Sequence, residues 1–252
     1  MNITDIPVSP VFAVVAKDDA IASRITAAIR SNGFALSQEN PDVVVAAGGD
    51  GTFLAAERRY PSVPKILMKY SKTCKLCRLD EKSTIETVLG KIKEKAYFLQ
   101  EGIKLEAHIS YLNPQKKRNV LEHKTLVCTN EFSLRNEHQT KALRFSVEVD
   151  KKPLAGEVIG DGVVIATPFG STGYYHSITR TCFEEGIGIA FNNPTECLKP
   201  RVFPASAQIL IRILRERAYL SMDNDPHLYP LDEGDSVRIQ KHIHPTRFLH
   251  VK

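Results

Sequence analysis

The chain has 252 residues, 42% of them hydrophobic, enough for one large or two modest domains that each bury a core. Its 34 basic residues exceed the 29 acidic ones by only the net +5, so a small anionic ligand such as a phosphate is expected as partner, and nucleic acid is not. No run of about eighteen apolar residues is present, and Met1 to Pro7 lacks the basic start and hydrophobic block of a signal peptide, which argues against a membrane and for a cytoplasmic location, with the five cysteines reduced.

The first hundred residues alternate strand and helix patterns, the signature of a mostly parallel sheet flanked by helices. Val11 to Ala16 predicts a strand. Asp18 or Asp19 caps a helix with Ile21, Ile25, Ala28 and Ile29 on one face, and Gly33 stops it. The β-branched run Val43-Val44-Val45 suits a strand covered on both faces, and it leads into Gly48-Gly49-Asp50-Gly51-Thr52. Phe53 to Arg58 reads as a helix capped by Thr52, which would set the N–H groups of the turn beside a helix N-terminus, a backbone site for phosphate. A carboxylate repels phosphate, so Asp50 suits such a turn if it holds a metal ion, takes a proton or orients a hydroxyl; the alternative is an ordinary Asp-Gly turn.

Residues 63 to 68 form the next predicted strand, and Ser83-Thr84-Ile85-Glu86 reads as a capping box opening a helix with Ile85, Val88, Leu89 and Ile92 inward. Cys74 and Cys77 make a C-x-x-C, but Cys128, Cys182 and Cys197 are scattered and supply no second pair at zinc-ribbon spacing, so no metal ligand is assigned. Ligands of open parallel sheets bind at the carboxyl ends of strands, where the Gly48 turn lies.

From about residue 100 the pattern changes to strands broken by turn residues, apart from a short helix near Tyr174. Tyr97 to Gln100 and Ile103 to Ile109 lead, followed by Leu143 to Val149 and parts of Ile209 to Leu214 and Val237 to Ile239. Asp150-Lys151-Lys152-Pro153, Asp223-Asn224-Asp225 and Glu233-Gly234-Asp235 are read as turns. The expected fold is therefore an α/β N-terminal domain over 1–100 with a mostly parallel sheet, followed by a mostly antiparallel all-β C-terminal domain over 101–252. Two stretches of the second part carry polar side chains. Asn130-Glu131 follows the apolar Leu126-Val127-Cys128, and could bind a ribose diol or an adenine edge, or simply end a strand. Asp161-Gly162 leads through Val163 to Ala166 into Thr167-Pro168-Phe169-Gly170-Ser171-Thr172-Gly173-Tyr174, where Tyr174 offers a ring face and a hydroxyl. No G-x-x-x-x-G-K-[ST] loop is present, which speaks against a Walker-type nucleotide site.

Together these stretches resemble the NAD kinase family, whose signatures are a G-G-D-G-T turn and a D-G-x-x-x-x-T-P-x-G-S-T-A-Y run. They stand here as Gly48 to Thr52 and as Asp161-Gly162, Thr167-Pro168 and Gly170 to Tyr174, with Asn130-Glu131 matching the family's Asn-Glu pair. Diacylglycerol and sphingosine kinases carry a similar first turn, so the second run is what points to dinucleotide kinases. The resemblance implies the same two domains, with the last residues returning to the first. It also implies phosphoryl transfer from ATP or polyphosphate to the adenosine-ribose 2′-hydroxyl of NAD, with Mg2+ or another divalent cation, in a homo-oligomer (dimer or tetramer). Transfer to a ribose hydroxyl needs a base close to it, for which Asp50 is the candidate, and the N–H groups of the turn assign Gly48, Gly49, Gly51 and Thr52 to donor phosphate. Asn130, Glu131, Asp161, Thr172, Gly173, Tyr174 and Ser177 are assigned to NAD. The chain departs from the pattern at Lys69 to Cys77, where the family has a glycine-rich loop. It departs again at Phe169, at Gly173 in place of alanine, and at Ser177-Ile178-Thr179-Arg180. The alternatives are a related kinase acting on another small-molecule or lipid hydroxyl, and a protein that binds NAD without phosphorylating it.

Overall fold

The computed structural model describes residues 6–70, 84–112 and 125–252; Cys74, Cys77 and most of the 69–77 departure lie outside them. The chain divides into one unit of Met1–Gly102 with Pro245–Lys252 and a second of Ile103–His244.

The first unit is built on a six-stranded sheet. Its strands run in the order Ala35–Leu36, Val11–Ala16, Val43–Gly48, Lys65–Lys69, Thr246–Val251 and Tyr97–Gly102. All neighbours are parallel except the last two, which pair antiparallel over Thr246↔Gly102 to Val251↔Tyr97. Val43–Gly48 sits inside this sheet and every one of its residues is buried, as its unbroken apolar run requires. Asp18 caps the helix Asp19–Ser31, its carboxylate accepting from the Ile21 N–H at 2.9 Å. Helix Ile85–Lys93 buries Ile85, Val88, Leu89 and Ile92. Its cap is Thr84, which accepts from the Thr87 N–H at 3.3 Å, so the expected Ser83–Glu86 box shifts by one residue and Ser83 itself lies outside the described residues. Tyr97 to Gln100, expected to lead the β domain, belongs to this first sheet instead, because its hydrogen-bonding partner is the C-terminal strand Thr246–Val251.

The second unit contains two antiparallel six-stranded sheets. One runs Lys152–Gly160, Leu143–Val149, Ile209–Arg215, Ser236–Lys241, Leu105–Ser110 and Leu126–Cys128. The other runs Arg201–Phe203, Ile187–Asn192, Gly162–Ala166, Glu131–Asn136, Ala218–Met222 and Tyr229–Leu231. Period-two alternation supplies the core: Leu143, Phe145 and Val147 from the first sheet meet Phe132, Leu134, Val163, Ile165 and Ile189 from the second. The hairpin at Asp150-Lys151 is tighter than the expected four-residue turn, with both residues at positive φ (50° and 64°) and Lys152 already paired to Val149. Gly162–Ala166 is buried on both faces. Val164 and Ala166 point away from the sandwich core and are covered by Tyr175 of the short helix Tyr174–Thr179, and that packing places this helix against the strand end that carries Thr167.

Candidate active site

In the first unit the buried strand Val43–Gly48 ends in the glycine turn, and helix Asp50–Arg59 begins at once. Gly49 is the N-cap in extended backbone, and its carbonyl accepts from the N–H groups of Thr52 (3.0 Å) and Phe53 (3.2 Å). Thr52, expected to be the cap, is therefore the third residue of the helix. Asp50 and Gly51 have been drawn into the first turn, where an acidic side chain complements the helix dipole. Asp50 is half-buried and stands between Gly49 and Gly51 at the carboxyl end of a central strand.

The helix is pinned along its length. Phe53 packs on Phe248 with ring centroids 5.1 Å apart. One turn further, the buried Glu57 carboxylate accepts from Lys65 Nζ, from Thr246 Oγ1 (2.9 Å) and from the Ser62 N–H (3.2 Å). The C-terminal strand thus holds the helix that presents Asp50. Nothing in the sequence pattern marked this group, since a charged pair eight residues apart looks like any surface pair.

In the second unit the Asn130-Glu131 pair and the Thr167 turn are locked together by backbone. The Thr167 N–H donates to the Asn130 carbonyl (2.8 Å), Thr167 Oγ1 donates to the Thr129 carbonyl (2.6 Å), and the Gly170 N–H donates to Thr167 Oγ1 (3.2 Å). A Cβ on Gly170 would lie 2.1 Å from the Asn130 carbonyl oxygen, so only glycine permits this approach. The 3₁₀ turn Gly170–Thr172 then carries Gly173 over Glu131: a Cβ at 173 would stand 3.7 Å from Glu131 Oε2, so the glycine leaves a methyl-sized space above that oxygen. Thr172 Oγ1 donates to the Phe169 carbonyl at 3.2 Å.

Asn130 Oδ1 and Glu131 Oε2 are sealed from solvent and have no hydrogen-bond partner among the described residues. Burial first, and then the nearby charge of Asp223, push the Glu131 carboxyl up from 4.5 to about 8. The same two causes, with Glu131 added, raise the Cys128 thiol.

Asp223 was read from the sequence only as part of a turn, and its role is larger. Its carboxylate accepts from the N–H groups of Thr129 (3.1 and 3.0 Å), Asn130 (2.7 Å) and Glu131 (3.4 Å), while its own N–H donates to the Glu131 carbonyl (3.1 Å). The Asp-Asn-Asp run announces a turn but carries no sign of a partner ninety-odd positions earlier.

Asp161 is not brought to this corner. In the ladder Gly162 faces Arg135 and Ala166 faces Glu131, so Asp161 lies at the other end of the strand, about 17 Å away at 3.4 Å per residue. Gly162 takes φ +147 and a Cβ there would meet the Leu134 carbonyl at 1.9 Å, which fixes the backbone that follows Asp161. Asp161 accepts from Asn193 Nδ2 (2.8 Å), and the Tyr174 hydroxyl accepts from Asn192 Nδ2 (3.2 Å). Because Asn192 pairs with Gly162, the Tyr174 side chain reaches from the Glu131 corner towards the Asp161 end. Asn192 and Asn193 were not singled out from the sequence. Ser177 donates to the Tyr174 carbonyl (2.7 Å) within its own helix.

Residues 129–251 match the family model described as the ATP-NAD kinase C-terminal domain. The chain is 30% identical over 186 residues to an NAD kinase of Sulfurisphaera tokodaii, an alignment covering 72% of this chain and 67% of that one. It is 26% identical over 226 residues to an NAD kinase of Thermoplasma acidophilum, covering 88% and 78%. In fold it is similar to an NAD kinase from Archaeoglobus fulgidus solved in complex with ATP, with a TM-score of 0.76 at 19% identity over 96% of this chain and 94% of that one. It is also similar to a yeast NADH kinase complexed with NADH, with a TM-score of 0.79 at 18% identity over 96% and 83%.

Proposed function

The chain belongs to the NAD kinase family and is a kinase, and from this premise we propose that it transfers a phosphoryl group from ATP or polyphosphate to the adenosine-ribose 2′-hydroxyl of NAD, giving NADP. The observation that carries the choice of acceptor is the pair Asn130 Oδ1 and Glu131 Oε2. A buried polar atom left without a partner costs about 1–3 kcal/mol, and two in consecutive residues make sense as a site that a polar ligand completes. A ribose diol or an adenine edge has the hydrogen-bonding groups to do so. Asp161 lies at the far end of the strand Gly162–Ala166 and the Tyr174 hydroxyl reaches towards it from the short helix, a spacing suited to an extended dinucleotide rather than a compact acceptor.

Phosphoryl transfer passes through a loose transition state and asks the protein mainly for positioning and charge stabilisation. In this reading the Gly48–Thr52 turn receives donor phosphate at the start of its helix, and Asp50 takes the proton from the acceptor hydroxyl as transfer proceeds, worth about a hundred- to ten-thousandfold. Among the described residues no group of three or more His, Cys, Asp or Glu side chains is placed to cage a metal. Mg2+ keeps most of its waters and binds chiefly through substrate phosphates, and when bound it would neutralise the charge of the donor. The proposal includes assembly as a homo-oligomer and a cytoplasmic location. No helix among the described residues is long and apolar enough to cross a membrane.

The test is to incubate the protein with NAD, Mg2+ and either ATP or polyphosphate and to read NADP with an NADP-specific dehydrogenase. NADP formation with at least one donor is expected. NAD binding with no NADP from either donor would replace this reading with that of a non-catalytic NAD-binding protein.

A further inference from the structure

We propose that Asp223 is a positioning residue of the dinucleotide site, its carboxylate gathering the backbone N–H groups of Thr129, Asn130 and Glu131 so that Asn130 Oδ1 and Glu131 Oε2 are presented to the ligand. The proposal deepens the reading of this corner as the NAD site and rests on it. Three consecutive N–H groups converging on one carboxylate form an anion-binding concavity, here filled by a side chain of the protein itself.

Its location explains why it can act so directly. Asp223 comes one step after Met222, which pairs with Phe132, so it stands opposite Glu131 where the ladder ends. A left-handed backbone at φ 46° turns the chain there. The Asp223 N–H closes the pairing onto the Glu131 carbonyl, while its side chain reaches past Glu131 to the two residues before it. The 167–173 turn is held to the carbonyls of Thr129 and Asn130, so Asp223 holds the N–H side and the turn holds the carbonyl side of the same short segment.

The second consequence is electrical. Among the described residues the titratable groups facing Glu131 are Asp223 and the Cys128 thiol, and the 167–173 turn carries no titratable side chain. Burial and the Asp223 charge keep Glu131 protonated at neutral pH. Glu131 therefore meets the ligand as a hydrogen-bond donor, whereas Asn130 Oδ1 can only accept. Such an arrangement is lost when Glu131 ionises.

The experiment uses Asp223→Asn, which keeps one acceptor oxygen and removes the charge, and Asp223→Ala, which removes both. Two readouts are taken: NAD affinity and KM as a function of pH, and the titration of Glu131 followed by carboxyl-carbon NMR on glutamate-labelled protein, assigned with Glu131→Gln. For the wild type, NAD affinity is expected to fall above pH 8. In Asp223→Asn the Glu131 titration and the fall in affinity should both move to lower pH. In Asp223→Ala the KM for NAD should rise at least tenfold while the KM for the phosphoryl donor stays within twofold. Asp223→Asn, folded by circular dichroism, guards against a variant that merely fails to fold. An unchanged Glu131 titration in Asp223→Asn, or an unchanged NAD affinity in both variants, overturns the proposal. Should the wild type bind no NAD at all, it is the functional reading that fails, and the Glu131 titration still decides whether Asp223 governs this corner.

Discussion

Replacing Glu131 with Gln changes the pH dependence of stability in a direction the structure fixes. In the folded protein the carboxyl titrates near 8, against 4.5 for an unperturbed glutamate. A raised folded value means that folding binds a proton: the stability linked to this group is fully present below pH 4.5 and is lost as pH rises towards 8, above which the loss is complete. At about 1.4 kcal/mol per pH unit, that interval removes on the order of 4–5 kcal/mol. Glutamine has the shape of the neutral acid and does not titrate, so the variant should match the wild type near pH 4.5 and exceed it by roughly 4 kcal/mol at pH 8. Urea unfolding of the ligand-free proteins at several pH values between 5 and 8 measures this, following the transition of the Ile103–His244 unit that contains Glu131. A difference between variant and wild type that stays flat with pH would refute the reasoning, because it would mean that Glu131 is already ionised in the folded protein.

Lys65→Met should destabilise the first unit by about 3–5 kcal/mol, since it leaves the Glu57 carboxylate buried without its cation. The double variant Lys65→Met/Glu57→Leu should recover most of that in thermal unfolding, and a single variant with an unchanged midpoint would show that the pair contributes nothing. Gly170→Ala should cost roughly 2–3 kcal/mol, or prevent folding of the second unit, because its methyl would enter the Asn130 carbonyl oxygen. Unfolding measurements that find it as stable as wild type would contradict the close approach. Gly173→Ala, by contrast, places its methyl 3.4 Å from the Gly170 carbonyl oxygen and 3.7 Å from Glu131 Oε2, both ordinary contacts. It should leave stability within about 0.5 kcal/mol, as substitutions without a clash or cavity usually do, and a larger loss in the same unfolding assay would contradict the space assigned above Glu131.

Local patterns carried much of the fold into view. The β-branched run at Val43 and the glycines after it announce a buried strand entering a tight turn, and the structure has that strand and turn. The helix boundary was less legible. Gly49, Gly51 and Thr52 are all good cap residues, and the choice of Gly49 depends on Asp50 and Gly51 being drawn into the first turn. Strand Tyr97–Gly102 looked like the start of the β-rich part because its membership of the first sheet is decided by Thr246–Val251, near the far end of the chain. The same kind of long-range information explains what the site concealed. Asn130, Glu131 and the Thr167 turn were visible as polar residues after apolar strands, but the Asp223 carboxylate that holds Asn130 and Glu131 is known only once the strands Glu131–Asn136 and Ala218–Met222 are paired. Likewise the separation of Asp161 from Glu131 is a matter of register, which the order of residues does not reveal.

The most direct test of the account compares wild type with Asp50→Asn in NADP formation and, separately, in calorimetric NAD binding. The wild type should form NADP, and the variant should turn over more slowly by about a hundred- to ten-thousandfold with NAD affinity unchanged, as expected for a group that acts on the moving proton. A variant that turns over at the wild-type rate would contradict the role given to Asp50, and a wild type that forms no NADP would contradict the kinase reading of this chain.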